Sequence, residues 1–138
     1  MILTERITVM TKPDLDIVDI TDQVADIIRK SPMENGFANI FVPGSTASVS
    51  TMEFEPNLVK DVKAAMERVA PSGIPYEHRK TWGDDNGKSH VRATLMGPGM
   101  AAPFHEKKLL LGAWQQIVLL DFDAPARERE VIIQLVGE

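Results

Sequence analysis

The chain contains no cysteine. That absence removes disulfides, thiolate nucleophiles and Cys-ligated zinc from consideration, and it fits a reducing compartment. No apolar run is long enough to span a bilayer. The opening Met1-Ile2-Leu3-Thr4-Glu5-Arg6-Ile7 has no basic stretch leading into a long apolar segment, as a secretory signal would; the expectation is a cytoplasmic protein. An excess of positive charge is also missing. The formal net charge is −5, which disfavours nucleic acid and anionic membranes as partners, although a local basic cluster can still bind a small phosphorylated molecule. There is no Walker lysine motif, no HExxH pattern and no Ser-His-Asp spacing. We find no internal repeat, low-complexity tract or linker.

What is present suits one globular domain over residues 1–138. At 138 residues with 43% hydrophobic and 25% charged side chains, a core forms without metal or disulfide staples. Leu3–Met10 alternates with the period of a half-buried strand, and 16–19 reads as a short second strand. Val24, Ile27 and Ile28 predict an amphipathic helix over 22–30, ended by Pro32 and Gly36. Ala38–Val42 and 47–52 read as strands. Pro56 suits a first helical turn, and Leu58, Val62, Ala65, Met66 and Val69 continue a helical stripe to Pro71. Residues 71–88 read as a long connection, and 90–96 as a strand. Met100–Phe104 and 108–111 bracket a hairpin through His105-Glu106-Lys107. The segments 113–122 and 130–136 are the strongest strands. About seven strands and two or three helices, not strictly alternating, predict an α+β fold with a mostly antiparallel sheet. The strand at 114–122 carries large apolar groups on both faces. It is therefore covered on both, either within the protomer or by a subunit contact.

The densest chemistry lies in Tyr76–Arg92. Adjacent Asp84 and Asp85, followed by Asn86-Gly87, make an oxygen-rich turn of the kind that can hold Mg²⁺; the plainer alternative is a solvated turn. On a strand, His90 and Arg92 project from one face about 7 Å apart. An imidazole and a guanidinium beside two carboxylates suit a phosphorylated substrate. The rival reading is an exposed polar sheet face. His78 is a third candidate, unconstrained by periodicity. Gly44, Ser45 and Thr46 lie between two strands, where consecutive N–H groups and hydroxyls can form an anion-binding nest. Glu53 stands open as a general base or metal ligand, whereas Glu55 suits the start of the helix near Pro56. Trp114 either stacks on a heterocycle or belongs to the core.

The blocks FVPGSTASVSTMEFEP, YEHRKTWGDDNGKSHVRATLMGP, LLLGAWQQIVLLDFD and VIIQLVGE, in this order from Phe41 to Glu138, resemble the YjbQ-like (secondary thiamine-phosphate synthase) family. The resemblance implies an α+β fold assembling as a homotrimer, with polar sites near the subunit contacts. It also implies a transferase that joins a pyrimidine diphosphate to a thiazole phosphate and releases pyrophosphate. By the same resemblance, Glu53, His78, Asp84, Asp85, Asn86, His90, Arg92, Trp114 and Gln115 are site residues. Relatives usually carry a histidine where this chain has Lys88. Lysine is a poor metal ligand while protonated but a good phosphate partner, so a transition metal is less expected here than Mg²⁺.

On this view Asp84, Asp85 and His90 hold the metal. Arg92, Lys88, Asn86, Trp114, Gln115 and the Gly44–Thr46 loop bind substrate, and His78, His90 and Glu53 manage protons. Two rivals stand beside it. One is a non-catalytic trimer that binds a phosphorylated metabolite or a metal ion, and the other is a metal-dependent hydrolase.

Overall fold

A computed structural model describes all 138 residues. The eight strands are β1 (Ile2–Met10), β2 (Asp16–Asp19), β3 (Gly36–Phe41), β4 (Ala47–Met52), β5 (Gly99–His105), β6 (Lys108–Leu109), β7 (Gln116–Asp121) and β8 (Glu128–Gly137). The four helices are α1 (Thr21–Lys30), α2 (Pro56–Val69), α3 (Arg79–Trp82) and α4 (Gly87–Met96). The α+β class holds. The strands divide into two antiparallel sheets, one of five strands ordered β1-β8-β3-β5-β6 and one of three ordered β2-β7-β4.

Strand β7 explains the layering. Ile117 and Leu119 face a core shared with Val131, Ile133 and Leu135 of β8, Ala38 and Ile40 of β3, and Val24 and Ile28 of α1. Val118, Leu120 and the following Phe122 face a second cluster with Ile17 and Ala93, against which Val59, Val62, Met66 and Met96 pack. The alternation of side chains along a strand therefore feeds two cores at once. The five-stranded sheet covers one face of β7, and α2 and α4 cover the other. Of the two readings of this strand, cover within the protomer is the one observed. Trp114 precedes the strand and is 77% exposed, so it joins neither core.

Local chemistry sets the helix starts. Glu55 accepts hydrogen bonds from the N–H groups of Asn57 (3.0 Å) and Leu58 (2.7 Å), with Pro56 in the first turn. Its role is that of an N-cap, and these bonds hold its carboxyl below the usual range. Asp19 Oδ1 accepts from the N–H and the hydroxyl of Thr21 at the start of α1.

The expected strand over 90–96 is corrected: this segment is α4. Val91, Ala93 and Leu95 do alternate, but from residue 89 onward the buried positions are Ser89, Arg92 and Ala93, with Met96 half-buried. That spacing of three and four follows one helical face. The Ser89 hydroxyl donates to the Phe122 carbonyl at 2.6 Å and the Ser48 hydroxyl to the Ala93 carbonyl at 3.4 Å, which fastens the helix onto the three-stranded sheet.

A buried polar network joins the two sheets at one end. Arg129 of β8 donates from Nε and Nη2 to the two oxygens of Asp121 of β7, at 2.9 and 2.8 Å. Nη2 also reaches the Thr46 hydroxyl at 2.8 Å, and the Thr11 hydroxyl donates to Asp121 at 2.7 Å. Asp123 accepts from Arg127 Nε at 2.8 Å. Burial alone raises the Asp121 carboxyl pKa, but hydrogen bonds from Arg129, Thr11 and the Asp123 N–H outweigh it and leave the value lowered. A carboxylate depressed on folding contributes stability above its unfolded pKa of about 3.9, and that stability is lost as pH falls through the folded value. Asp121→Asn should therefore cost roughly 3–5 kcal/mol at pH 7, because it strands a buried guanidinium. Denaturant melts across pH should show the difference from wild type shrinking below about pH 4; an equal gap at pH 3 and pH 7 would remove the ionised pair from this account.

Candidate functional site

The segment between α2 and α4 crosses the edge of the second core. Tyr76 anchors it, donating its hydroxyl to the Pro71 carbonyl at 2.7 Å. Gly87 opens α4 against that ring: a Cβ there would lie 2.6 Å from Tyr76 Cβ, so only glycine permits the approach. Arg92 is 3% exposed and donates to the Ala70 carbonyl from Nε (3.1 Å) and Nη2 (2.8 Å), and from Nη2 to Glu67 at 2.9 Å. Glu67 also accepts from the N–H (2.6 Å) and hydroxyl (3.0 Å) of Ser72. Those Ser72 bonds, with Arg92 behind them, hold the Glu67 carboxyl below its usual range. Lys88 Nζ donates to the Ser72 hydroxyl at 2.8 Å.

Two cavities meet at Lys88. One, of about 360 Å³, is lined by Asp14, Leu15, Lys63, Glu67, Ser72, Lys88, Arg92 and Phe122. The other, of about 650 Å³, is lined by Gly73, Ile74, Pro75, Tyr76, Arg79, Asp84, Asp85 and Lys88. The first lies between α2 and α4, and the second under the 73–85 segment. Lys88 and Arg92 share the first because they stand one helical turn apart on α4.

Helical geometry also separates what the strand reading joined. Two residues apart on a helix, His90 and Arg92 point roughly 160° away from each other. The expectation that they share a face is corrected accordingly. His90 instead stacks on His78, with ring centroids 4.5 Å apart and planes tilted by 39°. His78 Nδ1 lies 3.1 Å from Asp84 Oδ1, within ion-pair reach of a protonated ring but off the line of a hydrogen bond. His78 Nδ1 and Asn86 Oδ1 are buried polar atoms without a hydrogen-bond partner. Asp85 turns away to pair with Arg79. Of the three residues expected to share a metal, Asp84 and His90 thus both abut His78 while Asp85 pairs with Arg79, and no three His, Asp or Glu side chains gather as a metal cluster.

The other expected residues lie elsewhere. Thr46 is committed to Arg129 and Asp123 in the buried network. Gly44 and Ser45 are exposed in the loop beside it, and neither lines either of the two cavities that meet at Lys88. Glu53, Trp114 and Gln115 sit at the other end of the three-stranded sheet, where Gln115 Nε2 donates to the Thr51 hydroxyl at 3.0 Å. Six-residue strands place that end roughly 17 Å from Phe122, which lines the smaller cavity. Lys63, Glu67, Ser72, Tyr76 and Arg79 were missed. The signal for the first pair was the four-residue spacing of Lys63 and Glu67 on a helix already evident in the sequence.

A family model described as UPF0047 protein YjbQ-like matches residues 5–138. The chain is 35% identical over 129 residues to a UPF0047 protein of Archaeoglobus fulgidus, covering 94% of this chain and 98% of that one. It is 30% identical over 128 residues to the UPF0047 protein YugU of Bacillus subtilis, covering 92% and 93%. Among solved structures, a Sulfolobus solfataricus protein described as YbjQ-like and of unknown function superposes with a TM-score of 0.94 at 35% identity, covering 100% of this chain and 99% of that one. None of these relatives is named for thiamine-phosphate synthesis. The expectation of a thiamine-phosphate synthase, and of a transferase, is corrected on that ground.

Gly87→Ala should overpack the contact with Tyr76 at a cost of about 1–3 kcal/mol and shift the near-ultraviolet signal of the 76–82 aromatics. An unchanged spectrum and melting curve would show that the 76–87 turn is not set by this approach.

Proposed function

Because the chain belongs to the UPF0047 YjbQ-like family, whose fold it shares from end to end, we propose that it binds a small phosphorylated molecule in the cleft between α2 and α4, centred on Lys88. One observation carries this reading: Lys63, Lys88, Arg92 and Ser72 line a single cavity. Lys88 is bound only to a neutral hydroxyl in the hydrogen-bond network, so its charge is available to an incoming anion. Arg92 is pre-positioned by the Ala70 carbonyl and Glu67, which lowers the entropy lost when a ligand is gripped. Phosphate oxygens gain most from such charge-assisted donors.

The His78–His90 pair, reached from the larger cavity through Asp84, is the group available for proton transfer. Mg²⁺ enters this reading as a companion of the ligand's phosphate, with Asp84 and Asp85 as the carboxylates that would share it. We propose a cytoplasmic location for the protein; no helix is long and apolar enough to cross a membrane.

A homotrimer is the assembly we propose, on the family resemblance and on one surface. The outer face of the five-stranded sheet carries no helix and presents Ile2, Val136, Phe37 and Pro103 in one register row. Ile2 and Phe37 in that row are 67% and 42% exposed. Light scattering should return three times the 15.3 kDa protomer mass, and a monomer at micromolar concentration would refute the assembly.

The binding reading is checked by calorimetric titration with inorganic phosphate and ethyl phosphate at low salt. Saturable binding is expected, and it should weaken about tenfold in Lys88→Ala and in Lys63→Ala, the loss of one charge-assisted hydrogen bond each. Affinities that are undetectable, or identical in all three proteins, would refute it.

A further inference from the structure

We infer that the two cavities act as one bipolar cleft, and that its ligand is a phosphate monoester carrying a protonated amine. The inference rests on the phosphate-binding reading above, adds the chemistry of the rest of the ligand, and puts the ligand's own ammonium rather than Mg²⁺ at Asp84. Its basis is the change of sign across Lys88. On the α2–α4 side, Glu67 is already taken by Arg92 and Ser72, so Lys63 and Lys88 face only Asp14 as a free opposite charge among the lining groups. On the other side, Arg79 is taken by Asp85, which leaves Asp84 with no permanent cation as partner; its nearest base is His78 at 3.1 Å.

A ligand lying across Lys88 therefore meets surplus positive charge at one end and surplus negative charge at the other. Ile74, Pro75 and Tyr76 of the larger cavity supply an apolar wall that suits a carbon skeleton. Volumes of about 360 and 650 Å³ fall within the range of small-molecule sites. The same arrangement discriminates against competitors. A second anionic group in the larger cavity would meet Asp84, the carboxylate there that no arginine or lysine pairs, and like charges brought together in a cleft are costly. Inorganic phosphate would fill only the smaller cavity and leave the Asp84 end unused.

The test compares two matched series by calorimetry: ω-aminoalkyl phosphates of two to six carbons, and alkyl phosphates of the same lengths. At one length, the amine should bind about tenfold more tightly than its neutral partner, one added charge-assisted contact. Asp84→Asn, checked for intact folding by circular dichroism, should close that gap. If alkyl phosphates bind but amines gain nothing at any length, or the gap persists in Asp84→Asn, the bipolar cleft is wrong and the phosphate reading stands. If neither series binds, both fall.

Discussion

The architecture depends on the burial of β7 on both faces. A strand with an unbroken apolar run such as Ile117–Leu120 has no solvent face, so two separate layers must form against it. The five-stranded sheet with α1 supplies one, and α2 with α4 supplies the other. The second layer matters for chemistry, because only helices laid side by side on the sheet leave a cleft between them. Lys63 and Glu67 on one wall, and Lys88 and Arg92 on the other, face each other for that reason.

The buried network around Arg129 and Asp121 meets the complementary need at the end of the sheets. Strands from two different sheets close there, and charged groups removed from water must find partners. Arg129, Asp121, Thr46, Thr11 and Asp123 find them in one another. This is why a Gly-Ser-Thr loop that reads as an anion nest does other work: its threonine is a structural partner of a buried arginine. Lys88 illustrates the reverse. Its ammonium is held by a neutral hydroxyl rather than a carboxylate, and it lies where the two cavities join.

The site's parts were more legible than their arrangement. Lys88, Arg92, Asp84, Asp85, His78 and His90 were all visible as residue types in one polar stretch. Their grouping was not, because a helix and a strand through 87–96 send the same side chains in different directions. The alternation of Val91, Ala93 and Leu95 favoured a strand. The deciding contacts, Ser89 on the Phe122 carbonyl and Ser48 on the Ala93 carbonyl, are long-range and have no local signature. Once the helix is known, Arg92 joins Lys88 and His90 joins His78.

By itself the sequence determined the α+β class, the positions of most elements, the cap at Glu55 and the two-sided burial of β7. It did so because period, capping and turn chemistry act between residues near in the chain. Tertiary structure alone decided that the strands split into two sheets and that 87–96 is helical. It also decided that Glu53, Trp114 and Gln115 stand a strand's length from the Lys88 cleft. Those outcomes turn on which distant groups meet in space, and side-chain direction at each meeting is set by packing that no short window of residues contains.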